Sequence, residues 1–153
     1  MNRLELAIPP PAVMLVIGLI MWLLSRLFPA LALPWGSNVT GAFVIGLVGL
    51  TISLAGIASF KRASTTVDPR QPAKASTLVT SGIYRHSRNP MYLGILLTLI
   101  GWAVFLGNVL SLAAAFAFVP YMNRYQIEPE ERLLQGKFGR EFSAYKARVR
   151  RWI

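Results

Sequence analysis

"MYLGILLTLIGWAVFLGNVLSLAAAFAFVPYM", residues 91–122, carries no charged side chain, and Gly107–Asn108 divides it in two. A helix that crosses a bilayer needs about 20 apolar residues. Each half falls short of that, so its arms are expected to extend to about Asn89 and Ile127. Two apolar arms joined by two residues read as a tight helical hairpin. Whatever polar groups flank it must then meet at one end. "RHSRNP" stands just before it, at 85–90, and "NRYQIEPEER" just after, at 123–132.

Further out lie two more apolar stretches, Pro11–Phe28, with Arg26 near its end, and Val39–Phe60. The chain has 153 residues, 54% hydrophobic and only 14% charged, against about 25% charged in a soluble domain. The expected fold is all-α: one polytopic membrane domain over 1–153 with four transmembrane helices, at about 11–28, 39–60, 90–106 and 109–126. Residues 61–89 form a loop and 127–153 a C-terminal segment. The first apolar run reads as a retained helix rather than a signal peptide, because Glu5 offsets Arg3 and Pro9–Pro11 suit neither a charged leader nor its apolar core.

There is no cysteine, which excludes disulfides, thiolate metal sites and cysteine nucleophiles. With His86 the single histidine, a multi-histidine metal site is excluded too, and no metal is expected. The net charge of +10 is distributed by topology. Lys61, Arg62, Arg70, Lys74, Arg85 and Arg88 lie between the second and third spans. Arg124, Arg132, Lys137, Arg140, Lys146, Arg148, Arg150 and Arg151 follow the fourth. The positive-inside rule puts that loop and both termini on the cytoplasmic side of an inner membrane. It also accounts for the charge without nucleic acid. Oligomeric state is not readable from the sequence.

Two patterns concern packing. Ala42, Gly46, Gly49, Ser53 and Gly56 recur at spacings of four and three, a stripe along which a neighbouring helix can approach closely. Leu134, Phe138, Phe142, Tyr145 and Val149 recur at three or four among basic residues, which predicts an amphipathic helix on the cytoplasmic interface, interrupted at Gly139. Pro120 is expected to kink the fourth span.

The two polar clusters carry whatever chemistry there is. The first, in residues 65–94, offers Arg85, Arg88 and Asn89 as donors to an anion, and Tyr84, His86 and Tyr92 as aromatic faces. Pro90 starts a helix whose free N–H groups suit a carboxylate or phosphate. The second offers Arg124 and Glu128, four apart on one helix face, with Glu130 and Glu131 beside them. Taken alone, these residues fit an anion-and-cation site or plain interfacial anchors.

"LVTSGIYRHSRNPMYLG" (78–94) followed by "EPEERLLQGKFGREFSAYKARV" (128–149) resembles the isoprenylcysteine carboxyl methyltransferases and the related phospholipid methyltransferases, integral membrane enzymes that use S-adenosylmethionine. Gly82, Tyr84, Arg88, Asn89, Pro90, Tyr92 and Gly94 match a G-x-Y-x-x-x-R-[HN]-P-x-Y-x-G element. Glu130 and Glu131 match a Glu-Glu pair, and Phe138, Gly139, Phe142 and Tyr145 match F-G-x-x-[YF]-x-x-Y. The likeness covers roughly residues 60–150. Asn89–Pro90 stands where eukaryotic members carry His-Pro, as in bacterial members, and the chain is shorter than the eukaryotic enzymes.

The resemblance implies S-adenosylmethionine as cofactor, S-adenosylhomocysteine as product, and a lipophilic or prenylated acceptor presented from membrane lipid. Tyr84, His86, Arg88, Asn89, Pro90, Tyr92, Gly94, Glu130 and Glu131 become cofactor-binding candidates, and Arg124, Glu128 and Glu131 catalytic ones. An isoprenylcysteine-type carboxylate needs no general base, and Arg124 would orient it. A phospholipid-type amine needs one, from Glu128 or Glu131; His86 lies one position outside the pattern. The non-enzymatic alternative is an accessory protein whose basic loop contacts anionic lipid. A nicotinamide-dependent reductase fits less well, since the cluster at 124–132 is too acidic for the extra phosphate.

Overall fold

The computed structural model describes residues 5–34, 37–63 and 76–153. Arg3, and Arg70 and Lys74 in the middle loop, fall outside the described residues. The architecture is all-helical: α1 (Pro10–Leu27), α2 (Val39–Arg62), α3 (Pro90–Leu106), α4 (Val109–Phe116), α5 (Phe118–Met122) and α6 (Glu128–Arg148). Short 3-10 turns cover Pro29–Leu31 and Gly82–Arg85, and a π-helical turn covers Asn123–Ile127.

Local chemistry sets these ends. Proline at the first helical position opens α1 and α3, where the missing N–H has no intrahelical partner to lose. Asn38 caps α2 by accepting from Gly41 N–H at 2.7 Å, and Lys61 and Arg62 end it, where the helix dipole favours cations. Gly107 ends α3 in the left-handed region, φ 57°. Asn108 then starts α4, accepting from Leu110 and Ser111 N–H while donating to the Phe28 carbonyl at 2.9 Å. One buried asparagine thus joins α3, α4 and the end of α1.

After α4 the helix is interrupted twice. Pro120 cannot donate to the Phe116 carbonyl, and the turn tightens at Ala117, whose N–H reaches Ala114 O at 3.1 Å. Pro129 likewise leaves the Tyr125 carbonyl without its usual donor. Leu6 N–H supplies one at 3.0 Å, and to do so Leu6 adopts φ 58°, strained for a side chain with a Cβ. The N-terminal segment is therefore fastened to the π-helical turn after α5, at the same end of the molecule as the start of α3.

α2 and α3 run antiparallel along the small-residue stripe. A Cβ on Gly49 would sit 2.6 Å from Gly94 O, one on Gly101 would sit 2.9 Å from Ala42 O, and one on Gly56 would strike Met91. Ser53 Oγ donates to Met91 O at 3.2 Å. The core lies on the other side of α3, where Met21, Leu99, Ala103, Ala115, Phe118 and Met122 are buried together. The outward faces of α1 and α2 are apolar and open: Leu15, Leu19, Leu27, Phe43, Val44 and Leu54 are exposed. α1 and α2 are each long and apolar enough to cross a membrane.

Part of the C-terminal stripe packs into the protein itself. Gly139 takes φ 48°, ψ −115°, a combination open essentially to glycine, and splits α6 into two arms. The second arm folds back over the turn before α3, with Phe142 and Tyr145 buried.

Candidate active site

The polar residues before α3 and after α5 come together, as the flanks of two joined apolar arms require. A third element meets them there, the tail that follows α6. Asn89 illustrates the arrangement. Its position before Pro90 suits a helix cap, yet its side chain makes no cap bond. Instead Asn89 Nδ2 donates to Arg151 O at 2.9 Å, and Arg88 N–H donates to Arg150 O at 3.0 Å. Ser87 Oγ reaches the same Arg151 carbonyl and also accepts from Asn89 N–H. The tail runs beside this turn, and Trp152 Nε1 pins its end to Asn123 Oδ1 at 3.0 Å.

Adjacent glutamates on α6 point to different partners. Glu131 receives two guanidiniums: Arg88 Nη2 at 2.8 Å on Oε1, and Arg151 on both oxygens, Nη2 at 2.8 Å and Nε at 3.3 Å. The Arg88 and Glu131 side chains are only 13% and 16% exposed, so this pair is far less screened than a surface ion pair. Arg88 Nη1 reaches Lys146 O at 3.4 Å. Arg88 Nε is buried and has no partner among the described residues. A buried unpaired donor is costly.

Glu130 turns instead toward α3. Its Oε1 accepts from the Tyr92 hydroxyl and from Gln126 Nε2 at 2.7 Å. The carboxylate lies deep beneath its neighbours, and burial pushes its pKa up to about 8, with the adjacent Glu131 adding to the rise against the pull of both hydrogen bonds. Tyr92 is the hinge of the site, because its ring also lines an apolar cavity of about 660 Å³ between α1, α2 and α3. Pro10, Met14, Phe43, Leu47 and Ile95 form its walls.

The remaining candidates take other places. Tyr84 is buried with its ring edge-on to Phe60 at 5.4 Å. Its carbonyl accepts from Tyr145 OH at 2.7 Å, and burial raises the Tyr145 phenol above its usual range despite the Arg88 charge, which keeps it a donor. His86 is exposed at the rim. Pro90 is fully buried. Gly94 sits in the α2 contact, where a Cβ would be 2.8 Å from Ser53 N. Arg124 and Glu128 do pair, at 3.7 Å, but both are open, 54% and 40% exposed, and such a pair contributes little to stability. The same Arg124 and Arg132 hold Glu5 of the N-terminal segment. Spacing did not single out Arg151 or Gln126. Arg151 is one cation among many in a basic tail, and only the fold-back at Gly139 gives it a partner.

The phospholipid methyltransferase family profile matches residues 37–141. A probable protein-S-isoprenylcysteine O-methyltransferase of Oryza sativa subsp. indica is 31% identical over 125 residues, 82% of this chain and 65% of that one. Protein-S-isoprenylcysteine O-methyltransferase A of Arabidopsis thaliana is 36% identical over 124 residues, 80% of this chain and 62% of that one. The chain thus spans less than two thirds of these plant relatives. An uncharacterized protein of Haemophilus influenzae is 44% identical over 63 residues, 41% of this chain and all of that one. With a profile match that takes in both polar clusters and the helices between them, the chain belongs to the phospholipid methyltransferase family, with isoprenylcysteine O-methyltransferases among its relatives.

Proposed function

We propose that the protein is an S-adenosylmethionine-dependent methyltransferase of the inner membrane, acting on a lipophilic acceptor held among its helices. Four spans cross the bilayer, α1, α2, α3 and the α4–α5 run, the last two as a tight hairpin, with both termini and the polar site on the cytoplasmic side. The exposed apolar faces of α1 and α2 and the basic residues at one end of the bundle support that placement.

One observation carries the assignment: buried, unpartnered Arg88 Nε lies in the same polar cluster as Tyr92, which is shared with the apolar cavity. A charged, water-soluble ligand and a lipid meet where such a pair of sites shares a wall. The donor set fits S-adenosylmethionine. Arg88 Nε and the first amides of α3 suit its carboxylate, and Glu130, bonded to Tyr92, suits its ammonium or ribose hydroxyls. When bound, the cofactor supplies an electrophilic methyl group on a sulfonium. The protein's part is to align that group with the acceptor and exclude water, and alignment alone is worth roughly 7–11 kcal/mol.

An isoprenylcysteine-type carboxylate is the preferred acceptor, supported by the plant relatives. It has no proton to lose, and Arg124, at the rim, orients it. A phospholipid-type amine is the second reading, favoured by Glu130, whose raised pKa and contact with Tyr92 fit a proton acceptor beside the cavity. Glu131 is less available for that task because guanidiniums occupy both its oxygens, and Glu128 stands off at the exposed rim.

The test is calorimetry of S-adenosylmethionine against detergent-purified protein and Arg88→Ala, followed by transfer of labelled methyl to a prenylated cysteine and to an aminophospholipid. Saturable binding weakened at least about tenfold by the substitution is expected, since a charge-assisted bond is lost. Folded protein that binds nothing at millimolar cofactor would end the methyltransferase reading.

A further inference from the structure

The tail is built into the site as closely as the helices are, and nothing in the chemistry of methyl transfer alone requires it. Arg151 has the better grip on Glu131: its Nε and Nη2 take one carboxylate oxygen each, at 3.3 and 2.8 Å. Arg88 is left with a single end-on bond from Nη2 to Oε1. A carboxylate prefers to meet a guanidinium through two parallel bonds. Here two guanidiniums compete for one such fork, and the tail wins. The loser keeps a buried Nε–H with no acceptor among the described residues.

We propose that Arg151 is a positioning residue which, by holding Glu131 in a two-point grip, stops Glu131 from chelating Arg88 and so keeps Arg88 Nε unbonded for the anionic end of the ligand. The backbone of the same segment fixes the register. Arg150 O takes Arg88 N–H, Arg151 O takes Asn89 Nδ2, and Trp152 anchors the end to Asn123. Arg151 is 31% exposed and touches Glu128 only at 3.9 Å, so Glu131 is its principal partner. The inference rests on the cofactor reading above, since it concerns how a site for an anion stays vacant of the protein's own carboxylate.

In Arg151→Ala, Glu131 is free to turn both oxygens onto Arg88 Nε and Nη2 and block the site. The experiment measures S-adenosylhomocysteine and S-adenosylmethionine affinity by calorimetry for the wild type, R151A, E131Q and the double variant R151A/E131Q. Each is checked first for a monodisperse, cooperatively melting species. R151A is expected to weaken binding about tenfold, or about 1.4 kcal/mol. In the E131Q background the further loss from R151A should vanish, because no charged competitor remains. A role confined to holding the tail in place predicts instead the same additional loss in both backgrounds, and that additivity overturns the proposal. An R151A affinity equal to that of the wild type overturns it as well. Should R151A not fold, R151K reads the same point: its ammonium grips one oxygen and leaves the other to Arg88, so a loss of about threefold is expected, and no loss refutes the idea. If the folded wild type binds neither compound, the cofactor reading fails and this inference fails with it.

Discussion

Glu130 and Glu131 are adjacent, but a helix sends neighbouring side chains in different directions, and their surroundings divide them sharply. Glu131 is neutralised by two guanidiniums, whereas the donors to Glu130 among the described residues are neutral, Tyr92 and Gln126. That difference has a signature in stability. Folding raises the Glu130 pKa from 4.5 to about 8, so between those values the native state holds a proton that the unfolded chain has released. Stability is full below pH 4.5, falls as pH rises through the window by at most about 1.4 kcal/mol per unit, and levels off above about 8. Glu130→Gln removes the titration, so its melting temperature should decline less than the wild type's from pH 5 to pH 9. Parallel melting curves across that range would show that Glu130 does not carry the effect.

Among the elements, the α2–α3 contact was the most legible in the sequence. The stripe of Ala42, Gly46, Gly49, Ser53 and Gly56 has helical spacing, and helical spacing is local information. Its partner residues, Gly94 and Gly101, are read from the structure. Gly94→Ala would drive a Cβ into Ser53 and the Gly49 carbonyl, backbone that cannot step aside, and should cost about 1–3 kcal/mol. Gly136→Ala is the control: it lies within α6 with nothing within 4 Å of the added methyl. There a gain of about 0.5–1 kcal/mol is expected from helix propensity alone. Thermal melts of the two variants in one detergent decide the matter, and equal shifts would contradict the packing account.

The helix boundaries at Pro90, Gly107–Asn108 and Gly139 were legible for the same reason, because proline, left-handed glycine and asparagine caps act on their immediate neighbours. The tail was not. Asn89 and Arg151 are partners separated by most of the second half of the chain, and no periodicity reports such a contact. The amphipathic stripe of α6 predicted a helix lying on the cytoplasmic interface. Phe142 and Tyr145 turn out to be buried within the protein itself, because the bend at Gly139 brings them back over Tyr84.

For the whole molecule, the proposed topology rests on the charge distribution. Glu5, the end of α2, the start of α3, the start of α6 and the tail gather at one end, while Ser37 and Gly107 lie at the other. The absence of cysteine makes this simple to measure with single introduced thiols. In sealed vesicles of known sidedness, Ser81→Cys should be labelled by an impermeant maleimide only from the cytoplasmic face, and Ser37→Cys only from the opposite one; both positions are exposed. Labelling of both from one face would exclude the proposed topology.

The cavity between α1, α2 and α3 has a kinetic meaning that its volume does not express. On the proposed reading, its ligand reaches it sideways from the bilayer and never passes through water. The encounter is then a search in two dimensions, and molarity in the test tube is the wrong measure of how much acceptor the enzyme meets. What counts is the number of acceptor molecules per lipid or detergent molecule around it. Adding empty micelles at fixed total acceptor dilutes that surface and slows the reaction, although no concentration in the aqueous phase has changed.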